Sequence, residues 1–231
     1  MSTPDLYLET AFLVNGEGRI TSTREPAARR GPLFALARSA SCCRWAIRAD
    51  LAGSVALELE RLAREEPPAA NPLTAPVHAD RYRPLLASTG GAEAPRVQVD
   101  GPAFSSPDAT AGSPDVALIE DERRLERHFR GWVPGEIVAG RAPVLAVVEH
   151  GEPVSICFCA RRSEFAAEAG LETAEAFRGR GFGTRVTSAW AAALRAHRPP
   201  RVARSRAQAR PRGVRMSLES RRLRRHSASS A

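Results

Sequence analysis

The sequence predicts an α+β fold, with antiparallel strands and helices following one another along 231 residues. Three observations predict it. Strand-type runs come in pairs across short turns, most clearly Val144–Glu149 and Val154–Ala160 on either side of His150-Gly151. Elsewhere apolar residues recur at helical spacing, as in Val186, Ala189, Trp190, Ala193 and Leu194. Residues 88–115 are rich in glycine, serine, proline and alanine, which divides the chain into a small N-terminal α+β domain (1–114) and a second domain (115–200).

In chain order, residues 6–22 read as a hairpin: Leu6, Leu8, Phe12 and Val14, a turn at Asn15-Gly16, then Arg19 to Ser22. A second apolar stretch runs from Leu33 to Ile47. Asp50 is placed to cap a helix whose inner face is Leu51, Val55, Leu59 and Leu62, and Pro67-Pro68 ends it. A shorter helix is expected over Asp80–Ala87, a strand at Arg96–Val99, and a linker at 105–115.

The second domain opens with a strand at Val116–Ile119. A helix burying Leu125, Phe129 and Trp132 should follow and stop at Pro134-Gly135. The hairpin across His150-Gly151 comes next. A strand at Glu168–Glu175 then runs into the basic glycine loop Arg178-Gly179-Arg180-Gly181-Phe182-Gly183-Thr184, and an amphipathic helix begins at Phe182.

A strand, a glycine loop and a helix start together make an anion seat. The first turn of a helix presents unpaired N–H groups and the positive end of its dipole. The fingerprint G-x-G-x-x-G of dinucleotide sites is not met, because after Gly179 and Gly181 position 184 is threonine. A P-loop needs a lysine, and all 34 basic residues here are arginine. What remains is R-x-x-G-x-G, formed by Arg178, Gly181 and Gly183.

This loop resembles the pyrophosphate loop of the GNAT superfamily, the acetyl-CoA-dependent N-acetyltransferases. Element order over residues 115–198 is similar to the first two-thirds of a GNAT domain. Three further stretches resemble a subgroup of bacterial GNAT proteins that carry an extra N-terminal domain. They are G-W-x-P-G at Gly131–Gly135, V-S-x-C-F-C-A-R at Val154–Arg161 and E-A-G-x-E-T at Glu168–Thr173. The resemblance implies a GNAT-like mixed sheet with flanking helices, acetyl-CoA as cofactor, and transfer of acetyl to a primary amine of a small molecule or peptide. It implies pyrophosphate on the N–H groups of Gly179 through Thr184, with Arg178 and Arg180 adding charge. The pantetheine arm would lie along Leu171, Glu172 and Thr173.

An amine with a pKa near 10.4 is deprotonated only about once in a thousand molecules at neutral pH, so a base helps. Glu168 and Glu172 are the candidates. Four apart on a strand, they share a face but stand roughly 13 Å apart, which excludes a carboxylate dyad. Glu168 is preferred, because bases of the family often sit about ten residues before the loop. A solvated or edge-strand role remains the competing reading for both.

The family's later strands and its tyrosine acid have no counterpart after Pro200, where no aromatic residue occurs. Residues 201–231 are therefore expected to be a disordered, arginine-rich tail that replaces the native C-terminus, for instance by out-of-frame translation. Translating the other two frames of the gene past that point tests this.

Net charge is +8, and the eleven arginines and one glutamate of 198–231 account for it, leaving the rest near −2. Two alternatives to the enzyme follow: a catalytically impaired GNAT-like protein, and a non-specific binder of nucleic acid or other polyanions through the tail. The four cysteines, Cys42-Cys43 and Cys157/Cys159, match no disulfide or metal framework, and the five histidines are scattered, so no metal site is expected. No membrane span or signal peptide is expected either, and a cytoplasmic location is the simplest one.

Overall fold

The computed structural model describes residues 2–71, 73–89 and 115–196, together with the backbone of two short strands, Phe104–Ser105 and Arg215–Met216. Among these residues helices and strands are mixed, and the central sheet is largely antiparallel. The expected strand at 96–99 lies outside the described residues. So do most of the linker at 105–115 and of the tail at 201–231.

The chain opens with a helix where the sequence suggested a strand. Helix α1 spans Thr3–Ala11, and Leu6 and Leu8 belong to it. The reason is a reciprocal cap: the Asp5 N–H donates to the Ser2 hydroxyl, and the Ser2 N–H donates to the Asp5 carboxylate. The hairpin is confined to β1 (Phe12–Val14) and β2 (Ile20–Thr23), with the expected turn beginning at Asn15. The stretch 33–47 forms a second hairpin, β3 (Phe34–Arg38) with β4 (Cys43–Ile47).

Helix α2 spans Gly53–Glu65 and buries Leu59 and Leu62 completely. Asp50 does not cap it. Its carboxylate is taken by Arg30 and Arg48, and Ala52 stands at the N-cap without a side-chain bond. The short helix α3 covers Ala79–Ala87 and sets Tyr82 against Ile47, Leu59 and Leu62.

The larger sheet has the order β5-β10-β9-β8-β7-β6. Its strands are β5 (Phe104–Ser105), β6 (Val116–Leu118), β7 (Leu145–Glu149), β8 (Glu152–Arg162), β9 (Ala167–Thr173) and β10 (Arg215–Met216). Every pairing is antiparallel except β10 with β9, where Arg215 lies opposite Glu168 and Met216 opposite Ala169. Helix α4 (Phe182–Ala196) covers one face and packs Phe182, Val186, Trp190 and Leu194 onto Val147, Cys157 and Ala169.

On the other face Ile119, Leu125 and Phe129 close over Val144, Ile156 and Phe158. The helix expected here is replaced by a single 3₁₀ turn, Glu122–Leu125, and a loop. The Glu122 carboxylate accepts the N–H groups of Gly135 and Ile137, thirteen and fifteen residues on, and so holds the segment in a closed loop. Apolar spacing of three and four residues is met by consecutive turns as well as by a helix. The apolar spacing therefore carries the burial of these residues and leaves their conformation open.

The N-terminal elements touch the sheet at β8. Thr10 and Ser163 share a buried hydroxyl contact of 3.4 Å, and Arg161 pairs with Glu25 at 2.7 Å.

Candidate active site

Strand β9 gives way at Thr173 to a 3₁₀ turn, Glu175–Phe177, then to Arg178–Gly181, and α4 starts at Phe182. Gly179 and Gly181 both adopt left-handed backbone, with φ of 75° and 76°. A Cβ at either position would meet nothing within 4 Å, so backbone geometry and not space calls for glycine. Arg178, Gly179, Arg180, Gly181 and Thr184 are exposed. The first helical bond of α4 runs from the Arg185 N–H to the Gly181 carbonyl at 3.2 Å. The N–H groups of Phe182, Gly183 and Thr184 thus precede that bond, at the positive end of a 15-residue helix.

Gly183 has a different reason to be small. A Cβ there would stand 3.3 Å from Leu171 Cδ2, so the start of the helix is pressed onto the end of β9.

The arginines around the loop are positioned by aromatic rings. Arg180 stacks over Phe182 at 4.6 Å, lies 5.6 Å from the Phe177 ring, and reaches the Glu149 carboxylate at 3.4 Å. Arg185 lies 4.9 Å over the same Phe182 ring and pairs with Asp115. Arg178 folds back, donating Nε–H to the Thr173 carbonyl at 3.2 Å. Phe182, expected as the first apolar residue of the helix, is buried there and its ring is a shelf for two guanidinium groups.

Along β9, β10 runs beside Glu168 and Ala169 only. Among the described residues, Leu171, Glu172 and Thr173 have strand β8 on one side and no strand on the other. The Thr173 hydroxyl bonds to Ser155 at 2.8 Å, which fixes the end of the strand.

Glu168 and Glu172 lie on the face of β9 opposite α4, with Gly170 between them. Glu172 is half-buried. Glu168 is buried at 4 % exposure, and its Oε2 accepts Arg161 Nη1–H at 3.1 Å. The same guanidinium donates Nη2–H to Glu25 Oε1 at 2.7 Å.

Arg161 enters the sequence reading only as the last residue of the stretch Val154–Arg161, with no role given to it, and Glu25 is not singled out. Strict alternation from Phe158 would turn Arg161 toward α4, but the register of β8 shifts between Cys159 and Arg161 and sets Arg161 opposite Glu168. Glu25 lies 136 residues away in sequence and carries no local signal.

Cys157 and Cys159 are buried against α4. Burial pushes the Cys157 thiol well above its ordinary range and the Cys159 thiol up to about 11. Among the described residues no three His, Cys, Asp or Glu side chains gather as metal ligands, and no helix is long and apolar enough to cross a membrane. The arginine-rich stretch considered for polyanion binding lies outside the described residues, apart from the backbone of Arg215–Met216.

No protein-family model matches the sequence, and no curated protein matches it. A similar solved structure is that of a GNAT-family protein from Novosphingobium aromaticivorans, itself provisionally named an acetyltransferase. It is 16% identical with a TM-score of 0.37, over 48% of this chain and 47% of that one. The match thus spans about half the length of that protein.

Proposed function

We propose that the chain is an acetyl-CoA-dependent N-acetyltransferase of the GNAT type, acting on a primary amine of a small molecule or peptide. The observation that carries this reading is the exposed loop Arg178–Gly181, with two left-handed glycines leading straight into the N-terminus of α4. Four exposed positions and three N–H groups ahead of the first helical bond suit a diphosphate. The sequence resemblance at Gly131–Gly135, Val154–Arg161 and Glu168–Thr173 supports the same reading.

In this reading the N–H groups of Gly179 to Thr184 hold the pyrophosphate of acetyl-CoA, which brings the activated acetyl thioester. Arg178 and Arg180 add charge. Arg180 is held beside the loop by Phe182 and Glu149, so its guanidinium needs little ordering to take part. The stretch Leu171, Glu172 and Thr173 at the end of β9 would receive the pantetheine arm through strand-like bonds, and a backbone N–H there would polarise the thioester carbonyl. Glu168 or Glu172 accepts the proton of the attacking amine. Leu171 packs against Gly183, so the strand that carries the carboxylates and the loop that carries the anion donors keep a fixed spacing.

Calorimetric titration with coenzyme A tests the reading, on the full chain and on Gly181→Glu. Binding by the full chain and its loss in the variant, where a carboxylate enters the loop, is the expected pair of results. No heat of binding with the full chain overturns it.

A further inference from the structure

We propose that Glu25, from the segment after β2, is a positioning residue for Glu168 and acts through Arg161. The N-terminal elements thereby complete the second unit's site. Calling Glu168 a base rests on the function proposed above; the linkage itself rests on geometry alone.

The geometry is a bridge of one cation between two carboxylates. Arg161 donates Nη2–H to Glu25 at 2.7 Å and Nη1–H to Glu168 at 3.1 Å. A guanidinium is planar and its donors are fixed relative to one another. Seating one nitrogen on Glu25 therefore sets the direction in which the other meets Glu168.

Glu25 is itself held. The neighbouring Arg24 donates its backbone N–H to the Ala11 carbonyl at 3.0 Å and its Nε–H to the Phe12 carbonyl at 3.0 Å. The β8 register shift turns Arg161 to this face, and the contact of Thr10 with Ser163 closes the junction a few residues further on. Among the described residues, Glu168 accepts no hydrogen bond other than the one at Oε2. The Oε2 oxygen is thus committed to the bridge.

The charged groups around Glu168 are Arg161 and Arg162 on β8, Glu25 and Arg29 in the segment after β2, and Glu164 in the β8–β9 turn; β10 adds the Arg215 backbone. Arg29 lies 3.8 Å from Glu25 and is mostly exposed, so it screens Glu25 weakly. Arg161 stabilises the Glu168 carboxylate, whereas Glu25 both competes for that cation and adds like charge. Removing Glu25 should therefore change how the guanidinium meets the Glu168 carboxylate, and removing Arg161 should abolish that contact.

The test is carbon-13 NMR of the glutamate side-chain carboxyls in the full chain at neutral pH, with the Glu168 signal assigned by its disappearance in Glu168→Gln. Glu25→Gln, an isosteric change, should move the Glu168 carboxyl signal, and Arg161→Gln, which removes the bridge, should move it further. If Arg161→Gln fails to fold, Arg161→Lys replaces it. A single ammonium cannot seat both carboxylates in one plane, so the effect of Glu25→Gln should shrink in that background.

A Glu168 carboxyl signal unmoved by Glu25→Gln overturns the proposal. So does an equal movement with and without Arg161, which would mean plain charge proximity. The carboxyl signal reads this linkage whether or not the chain binds coenzyme A, and the calorimetry above judges cofactor binding separately.

Discussion

The ring of Phe158 occupies the space that a side chain at Gly170 would need: a Cβ there would come within 3 Å of Phe158 Cδ2, Cε2 and Cζ. The two residues face each other across β8 and β9, between the positions of Glu168 and Glu172. The ring cannot step aside. Trp132 meets it edge-on at 5.3 Å, and the Arg141 guanidinium lies 4.8 Å over it.

Gly170→Ala should therefore cost about 1–3 kcal/mol, the usual range for forcing extra volume into a packed interior. Urea unfolding should show a lower midpoint at unchanged slope. A midpoint equal to the parent's would mean the Phe158 ring has room that the packing denies it.

Replacing the loop glycines should act differently. Gly179→Ala and Gly181→Ala meet no neighbour, so each should lose only the backbone term for a left-handed residue, about 1 kcal/mol. Coenzyme A affinity should drop in both, since a shift in backbone moves the N–H groups that hold the diphosphate. Gly183→Ala presses on the end of the Leu171 side chain, which can shift by tenths of an ångström, so its stability loss should be smaller. Paired thermal unfolding and calorimetry separate the two effects.

Glu66 places a carboxyl group where water cannot reach. Its side chain is fully buried and accepts the N–H groups of Val77 at 3.0 Å and His78 at 2.8 Å, with Arg38 at 3.9 Å. Glu66→Ala strands two backbone donors and removes the carboxylate beside Arg38, which keeps the Thr74 carbonyl, so a loss of about 3–5 kcal/mol is expected. Glu66→Gln keeps an acceptor and should fall between the variant and the parent in the same unfolding measurement.

The cysteines give a pH dependence with a defined sign. Hydrogen bonds from Ser2 and Ser39 lower the Cys42 thiol, whereas burial raises Cys43 and Cys159 to about 11 and Cys157 further. The thiolate is the reactive form. Iodoacetamide at pH 8 should therefore label Cys42 first, as read by peptide mass, and leave Cys157 and Cys159 untouched until the protein unfolds.

For Cys43 and Cys159 the unfolded thiol releases its proton near pH 9 while the folded one keeps it to about 11. Their contribution to stability is complete below pH 9 and is lost as pH rises through that window. Melting temperature should fall across it, and replacing Cys159 by alanine should flatten the fall.

The sequence by itself determined what depends on neighbours along the chain. The turn at His150-Gly151, the apolar stripe of α4 and the glycine loop ahead of it rest on local backbone preference and local periodicity, and each lies where the residues put it. Ser2 and Asp5 also carried a local signal, a cap for α1, but the alternation of Leu6 and Leu8 masked it.

Only the tertiary structure decided the rest. Whether Leu125, Phe129 and Trp132 sat on a helix or on successive turns was settled by Glu122 reaching across to Gly135 and Ile137. Whether Arg161 faced α4 or Glu168 was settled by a register shift of one residue in β8. The meeting of Glu25 with Arg161 depends on how α1 and β1 lie against the sheet, through Arg24. Bonds between residues far apart form only after the chain has folded, so no local pattern announces them, and in this protein they hold the candidate base.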